Sequence, residues 1–430
     1  MATETVGVHT TLRKRVTCPH CWHRFPPEET LWISENPALM DDPKLGPDHQ
    51  LRFLPTRFDI AGNAIDAEGM VCRDLACPNC HLIVARPLFE LKPLFASILG
   101  GPSCGKSYFL AAMTWRLRRT LPYFFQLAFG DADPVSNRVL NDYEELQFFN
   151  PVQDAIVKLR KTDEEGDLYD EVRMGDGIIR YPRPFLFSLQ PLDGHPNQKR
   201  MRKIARVLCL YDNAGESFQP GKDTPNNPVT RHLARSQLLM FLFDPTQDPR
   251  FRDACRDKTR DIQMTEPTVT ARQETVLHEV ANRIRRYTGL SHGKRHERPM
   301  FVIVTKYDAW SALLPDVPLR DPWSPTKQER LQSLDGAYVE QVSQAVRELL
   351  WQYSPEIVAA AEGFSEYVVY IPCSATGCAP MRDPERPEMI GFRPRDISPM
   401  WAEVPLLYAL SKWTHGLIGR TRRHRAQRSG

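Results

Sequence analysis

The stretch GGPSCGKS, residues 100–107, sets Gly100 and Gly105 around a short loop and follows them with Lys106 and Ser107. A loop of that kind can wrap its backbone amides around an anion, with the lysine adding a positive charge and the serine hydroxyl a ligand for Mg²⁺. The residues before it, FASILG, form an apolar run with the look of a strand. Those after it, SYFLAAMTWRLRR, carry Phe109, Leu110, Met113 and Leu117 at helical spacing. Strand, glycine-rich turn and helix N-terminus together are the setting in which such a loop holds nucleotide phosphates, Lys106 reaching the β- and γ-phosphates. Cys104, inside the loop, reads as a tolerated small residue.

A second cluster of chemistry lies nearer the start. CPHC supplies Cys18 and Cys21, CPNC supplies Cys77 and Cys80, and 55 residues separate the two pairs. Two thiolates bracketing a tight turn, taken twice, make the four-sulfur tetrahedral set that Zn²⁺ favours. The interval is wider than the common one, so the intervening residues read as a looped-out lobe. Redox dithiols are the alternative, and Cys72, His20, His23 and His81 are spare candidate ligands close by that read more simply as bystanders.

Three later segments bear on which nucleotide the loop would take. ARVLCLYDNAGESF ends a strand in Asp212, with Gly215 three residues on. A carboxylate there can hold a water on Mg²⁺, and a glycine N–H can reach a γ-phosphate and let go when it leaves. MFVIVTKYDAW ends a strand in Thr305, Lys306, Tyr307 and Asp308. A carboxylate at Asp308 can accept from both guanine N1 and the exocyclic N2, which adenine cannot match, while the Lys306 stem lies over the base. YIPCSATG then offers the Ser374 and Ala375 amides to guanine O6.

GPSCGKS, DNAG, TKYD and SAT, in this order and on these strands, resemble the Ras-like, TRAFAC-type branch of P-loop GTPases, from Ile98 to just beyond Ser374. Together with the paired CxxC segment and the late GFRPRDI…VPLLYAL stretch, the chain resembles the bacterial double-GTPase family, second type. The resemblance implies a GTP-binding switch that hydrolyses GTP to GDP with Mg²⁺, in bacterial signalling or defence. Gly100, Gly105, Lys106, Ser107 and the adjoining Tyr108 would hold phosphate and Mg²⁺. Asp212 and Gly215 would form the second switch, and Thr305, Lys306, Asp308, Ser374 and Ala375 the base pocket. Thr162, in KLRKTDEEGDLY, is the candidate first-switch ligand to Mg²⁺, against the reading as an ordinary loop threonine. Glu216 stands where Ras-type enzymes carry the glutamine that orients the attacking water, so hydrolysis is expected to be slow or partner-dependent. Arg206, Arg231 and Arg250 lie near these motifs in sequence, and none is identified as an arginine finger.

The elements that must position these residues alternate short apolar runs with amphipathic helices, the pattern of an α/β domain with a mostly parallel sheet. Six strands are expected, at 95–100, 183–191, 206–212, 238–244, 300–305 and 367–373. Helices are expected over 273–287 and 327–353, with a last docking helix in VPLLYALSKWTHGL. The connections after the first helix and after the fourth strand are long, and read as loops with some helix of their own. The organisation expected is a zinc-ribbon-like segment over 1–90, a P-loop domain over 91–418 and a basic tail over 419–430.

Across the 430 residues, 56 Lys and Arg stand against 53 Asp and Glu, a net charge of +3 that makes no general claim on nucleic acid. The exception is GRTRRHRAQRSG, a solvated end or a contact for nucleic acid, acidic partners or an anionic surface. No run suits a membrane span and the polar start has no hydrophobic signal core, so a cytoplasmic protein is expected. A protein effector, a second GTPase or a homo-oligomer is the expected partner class. A nucleotide-holding module that contacts nucleic acid through the zinc segment and tail is the alternative, and an ATP-using enzyme the third reading.

Overall fold

The computed structural model describes residues 12–159, 169–213, 218, 228–266, 272–326 and 331–421. Nine of its strands concern the site: β1 (Lys92–Gly100), β2 (Leu127–Asp131), β3 (Tyr169–Met174), β4 (Gly177–Pro182), β5 (Phe185–Pro191), β6 (Arg206–Asp212), β7 (Leu238–Phe243), β8 (Met300–Val304) and β9 (Val368–Pro372). Seven form one sheet in the order β9-β8-β7-β1-β6-β5-β2. The five from β9 to β6 run parallel, whereas β5 is antiparallel to both its neighbours. LLMFLF of β7 and MFVIV of β8 are buried at every position, as parallel strands covered on both faces must be. The chain fills one side of β1 with β2, β5 and β6 before crossing to the other with β7, β8 and β9. The crevice at the C-terminal end of β1 is therefore a topological switch point, where open α/β sheets take their ligands.

Among the described residues the helices of eight residues or more are α1 (Lys106–Phe125), α2 (Arg138–Phe148), α3 (Pro228–Arg235), α4 (Gln273–Thr288), α5 (Gly336–Tyr353), α6 (Pro355–Phe364) and α7 (Val404–Trp413). In α4 the expected stripe of Val276, Leu277, Val280, Ala281 and Ile284 is buried, and Gly289 closes the helix at φ 68°. Helix α5 starts later than the expected 327: Gln332–Leu334 pairs with Trp323–Pro325, and the Asp335 carboxylate caps the helix by accepting from Tyr338 N–H. The six expected strands are all present, with boundaries shifted by up to three residues, and the sheet has a seventh.

That seventh strand, β2, lies in the connection read as loop and helix, which also holds α2 and the β3–β4 hairpin. The basic tail starts later than expected as well. Leu334 N–H donates to Gly419 O at 2.9 Å and Thr421 N–H to Leu334 O at 3.1 Å, so its first residues are paired.

The cysteine segment sits on the sheet. Because neighbouring side chains on a strand face opposite ways, Leu208 and Leu210 of β6 join the main core while Val207, Cys209 and Tyr211 join a second one. That second core contains Trp22, Phe25 and Phe89 from the cysteine segment and Phe95 from β1. The Trp22 and Phe95 rings lie 4.2 Å apart, and the buried Tyr211 hydroxyl donates to Pro19 O inside the first CxxC turn. Among the described residues no helix is long and apolar enough to cross a membrane.

Candidate functional site

At the end of β1 the chain turns so tightly that only glycine fits: a Cβ on Gly100 would meet Cys104 Sγ at 2.6 Å and Leu242 O at 2.9 Å. Gly105, left-handed at φ 89°, starts α1. Lys106 is buried, and its Nζ donates to Gly100 O at 3.2 Å and Gly101 O at 3.0 Å, spanning the loop from inside. From outside, Gln247 Nε2 donates to Pro102 O at 3.1 Å. The loop is thus a closed cradle facing a cavity of about 430 Å³.

Gly105, Lys106, Ser107 and Tyr108 line that cavity together with Thr305 and Lys306 from the end of β8 and Ser374 and Ala375 from the end of β9. Thr305 Oγ1 donates to Phe243 O at 3.1 Å. Lys306, left-handed at φ 55°, anchors its ammonium 2.7 Å from Asp244 Oδ2 and donates to Thr246 Oγ1 at 2.9 Å. Asp244 is fully buried, held by Gln273 through both its backbone groups at 2.8 Å. An aliphatic stem with its charge tethered at the far end is a flat apolar surface inside a polar site.

Asp308 sits just behind this wall and does not itself line the cavity. Its Oδ1 is buried with no hydrogen-bond partner among the described residues. Burial pushes its carboxyl up to about 6; Asp261 adds to the rise, and the Ser374 side chain and Lys306 oppose it. Ser374 N–H, expected to face a base, donates instead to Met400 O at 3.0 Å.

At the end of β6, Asp212 is buried. The adjoining Asn213 donates through Nδ2 to Ile98 O at 2.8 Å and pairs through Oδ1 with His232 Nε2 at 2.6 Å. The His232 ring stacks on Tyr211 at 4.6 Å. Thr162, Gly215 and Glu216 lie outside the described residues. None of Arg206, Arg231 and Arg250 lines the cavity. Arg206 donates to the carbonyls of Lys203, Ile204 and Ala205, and Arg250 pairs with Asp248 and Glu356.

Sequence reasoning missed several residues of the cavity: Lys158, Leu159, Gln263, Cys373, Thr376 and Phe392. It also missed Asp244 and Thr246, although FDPT directly after a buried strand is a legible capping signal: the Asp244 carboxylate accepts from Thr246 N–H at 2.9 Å.

The four cysteines expected to act together do come together. Their sulfur atoms lie within 4.8 Å of one another and all four residues are buried. Cys18 and Cys80 sulfurs stand 3.7 Å apart, as do those of Cys21 and Cys77. A tetrahedron with Zn–S bonds of about 2.3 Å has edges of about 3.8 Å, so the donor set fits Zn²⁺. The two turns are built alike. His20 N–H donates to Cys18 Sγ and Asn79 N–H to Cys77 Sγ, each at 3.4 Å, and Trp22 and His81 both take φ 63°. The bystanders are engaged elsewhere: His81 Nδ1 lies 2.8 Å from Asp42 Oδ2, His20 Nε2 lies 3.1 Å from Ile83 O, and Cys72 Sγ faces Asp66. His23 stacks on Phe25.

No family model matches the chain, and no curated protein does. Among solved structures it is similar to Era from Aquifex aeolicus bound to GDP·AlF4⁻, at 14% identity and a TM-score of 0.26, over 70% of this chain and 62% of that one. It is similar to Era in complex with MgGDPNP and a fragment of 16S ribosomal RNA, at 13% identity and a TM-score of 0.23, over 70% and 61%. It is also similar to the Ski7 GTPase-like domain from S. cerevisiae bound to GTP, at 11% identity and a TM-score of 0.26, over 66% and 43%. The chain thus spans about three-fifths of the Era chains and less than half of the Ski7 chain.

Proposed function

We propose that this protein is a GTP-binding switch that hydrolyses GTP slowly with Mg²⁺, in the cytoplasm and in a bacterial signalling or defence pathway. The observation that carries the reading is convergence: loops from the ends of β1, β8 and β9, far apart in sequence, line one cavity at the switch point of the sheet. In this reading the Gly100–Gly105 loop and Lys106 hold the β- and γ-phosphates, and Ser107 and Asp212, with Thr162, hold Mg²⁺. The buried, unpartnered Asp308 Oδ1 accepts from the guanine edge. A carboxylate oxygen buried without a donor costs free energy, and a guanine N–H would recover it where adenine has no such donor. Thr305, Lys306 and Ala375 border the base, and Ser374 acts through its side chain on Asp308, since its amide is already committed.

Glu216 would accept from the attacking water but lacks the amide donor of a glutamine, and it adds negative charge beside the γ-phosphate; turnover without a partner is then no faster than about 10⁻⁴ to 10⁻² s⁻¹. Cys18, Cys21, Cys77 and Cys80 would hold Zn²⁺ in a structural role, bracing the sheet through Trp22 and Pro19. A protein effector or a second G domain would read the GTP-bound state.

The deciding experiment compares fluorescent GDP, ADP and xanthosine diphosphate on wild type and Asp308→Asn. Preference for GDP in wild type, moving toward xanthine in the variant, is the expected result. Equal binding of ADP, with no effect of the substitution, would refute the reading and favour an ATP-using protein. Salt-sensitive RNA or DNA binding that ignores nucleotide state would favour the nucleic-acid module.

A further inference from the structure

The GFRPRDI stretch, residues 391–397, belongs to none of the nucleotide loops, yet it reaches their cavity. Phe392 stands in the cavity wall beside Tyr108, the two rings 5.4 Å apart and inclined at 65°. Its position is built rather than incidental. Phe392 N–H donates to Val157 O and Val157 N–H to Phe392 O, both at 2.9 Å. A Cβ on Gly391 would meet Val157 O at 2.3 Å, so this approach of two backbones requires glycine. Further along, Arg395 N–H donates to Gln153 O at 3.3 Å, and its guanidinium pairs with Asp154 at 2.5 Å. The Val157 segment is fastened to α1 in turn, because the Tyr108 hydroxyl accepts from Leu159 N–H at 3.0 Å. Three segments distant in sequence interlock here, and two aromatic rings, Tyr108 and Phe392, stand side by side in the cavity wall.

We infer, resting on the guanine-nucleotide reading above, that Phe392 is a ligand-contacting residue: with Tyr108 it forms an aromatic wall against which the nucleoside part of the ligand packs. Every nucleobase has a π face, so such a wall adds affinity without choosing between bases. Choice of base is left to Asp308 and affinity for phosphate to the Lys106 loop. The C-terminal segment is then a working part of the nucleotide site.

The test uses the full chain, with GDP, ADP and inorganic pyrophosphate as probes. Phe392→Ala is expected to weaken GDP and ADP by the same factor, about 5- to 100-fold. The GDP-to-ADP ratio and the affinity for pyrophosphate stay at the wild-type values, and Phe392→Trp retains binding. Lys106→Ala, by contrast, is expected to weaken all three probes. Because the Val157 pairing is made by backbone, Phe392→Ala leaves it in place. Phe392→Leu, which keeps most of the volume without the π face, guards against a packing effect and is expected to show most of the loss. If Phe392→Ala binds GDP as wild type does while Lys106→Ala does not, the inference fails and the functional reading stands. If pyrophosphate weakens along with GDP in Phe392→Ala, the ring is structural and the inference fails. If ADP binds as well as GDP and Asp308→Asn changes neither, the guanine reading fails, yet equal loss of both nucleotides in Phe392→Ala would still support the wall.

Discussion

If Asp308 reads guanine as proposed, its protonation would make that recognition depend on pH in a way that can be worked out beforehand. Its carboxyl, ordinarily at 3.8, is pushed up to about 6 chiefly by burial. A carboxyl whose value is raised on folding is easier to bury protonated. It therefore weighs against the folded state once ionised: the cost is absent below about 3.8, grows between 3.8 and 6, and is complete above 6. The full shift corresponds to about 3 kcal/mol, and because solvent still reaches part of the residue, a net cost of about 1–2 kcal/mol is the expectation. Asp308→Asn should thus stabilise the ligand-free protein at pH 7.5, with the gain fading toward pH 4.

Binding carries the opposite demand. Accepting from guanine N1 and N2 requires the ionised carboxylate, so GDP must expel the proton before it can bind. From pH 7.5 to 5, about one unit below the midpoint, the affinity for GDP should fall roughly tenfold. ADP has the same phosphates and corrects for their own titration. The assay is isothermal calorimetry in two buffers of different ionisation enthalpy, which counts protons released. At pH 6, GDP should release about half a proton more than ADP on wild type, and the excess should vanish in Asp308→Asn. A GDP-to-ADP ratio that stays flat from pH 5 to 7.5 on wild type would refute the reasoning, because it would mean that no titrating carboxylate meets the base.

Other expectations are simpler to check. Purified protein should carry close to one Zn²⁺ per chain, lost in the Cys18→Ser/Cys80→Ser variant together with thermal stability; fully folded protein without metal, measured by elemental analysis and melting, would end that idea. Single-turnover hydrolysis by the isolated protein should be no faster than about 10⁻⁴ to 10⁻² s⁻¹, and a rate above about 1 s⁻¹ would overturn the role given to Glu216. Tyr211→Phe removes the hydroxyl that donates to Pro19 O in the first cysteine turn, and should cost about 1–2 kcal/mol in a denaturant titration.

How much of this was legible beforehand follows from how each part is stabilised. β7 and β8 are apolar and buried at every position, so their residues alone betray them. β2 has only LAFGD to offer, with a small residue at its second position and a glycine at its fourth, and its place at the sheet edge comes from pairing with β5. The β3–β4 hairpin alternates charges with isolated apolar residues around an exposed Gly175–Gly177 turn, and reads as loop until Val172 and Tyr181 are seen buried against the cysteine segment. Phe392 is harder still: a single aromatic in an irregular stretch, whose role depends on a backbone pairing with Val157 that no local pattern encodes.

The cysteine pairs were legible as pairs, and their meeting across 55 residues could be expected from metal chemistry. Their attachment to the sheet could not. That attachment runs through a few residues. Phe95, on the strand that ends in the Gly100–Gly105 loop, packs on Trp22 of the first cysteine turn. Tyr211, next to Asp212, donates to Pro19 and stacks on His232, which pairs with Asn213. Loosening the cysteine turn would therefore be felt first along the two strands that lead into the Gly100–Gly105 loop and Asp212. The Cys18→Ser/Cys80→Ser variant should accordingly lose GDP affinity as well as metal. The same variant with GDP affinity intact would make the cysteine segment an independent module that merely rests on the sheet.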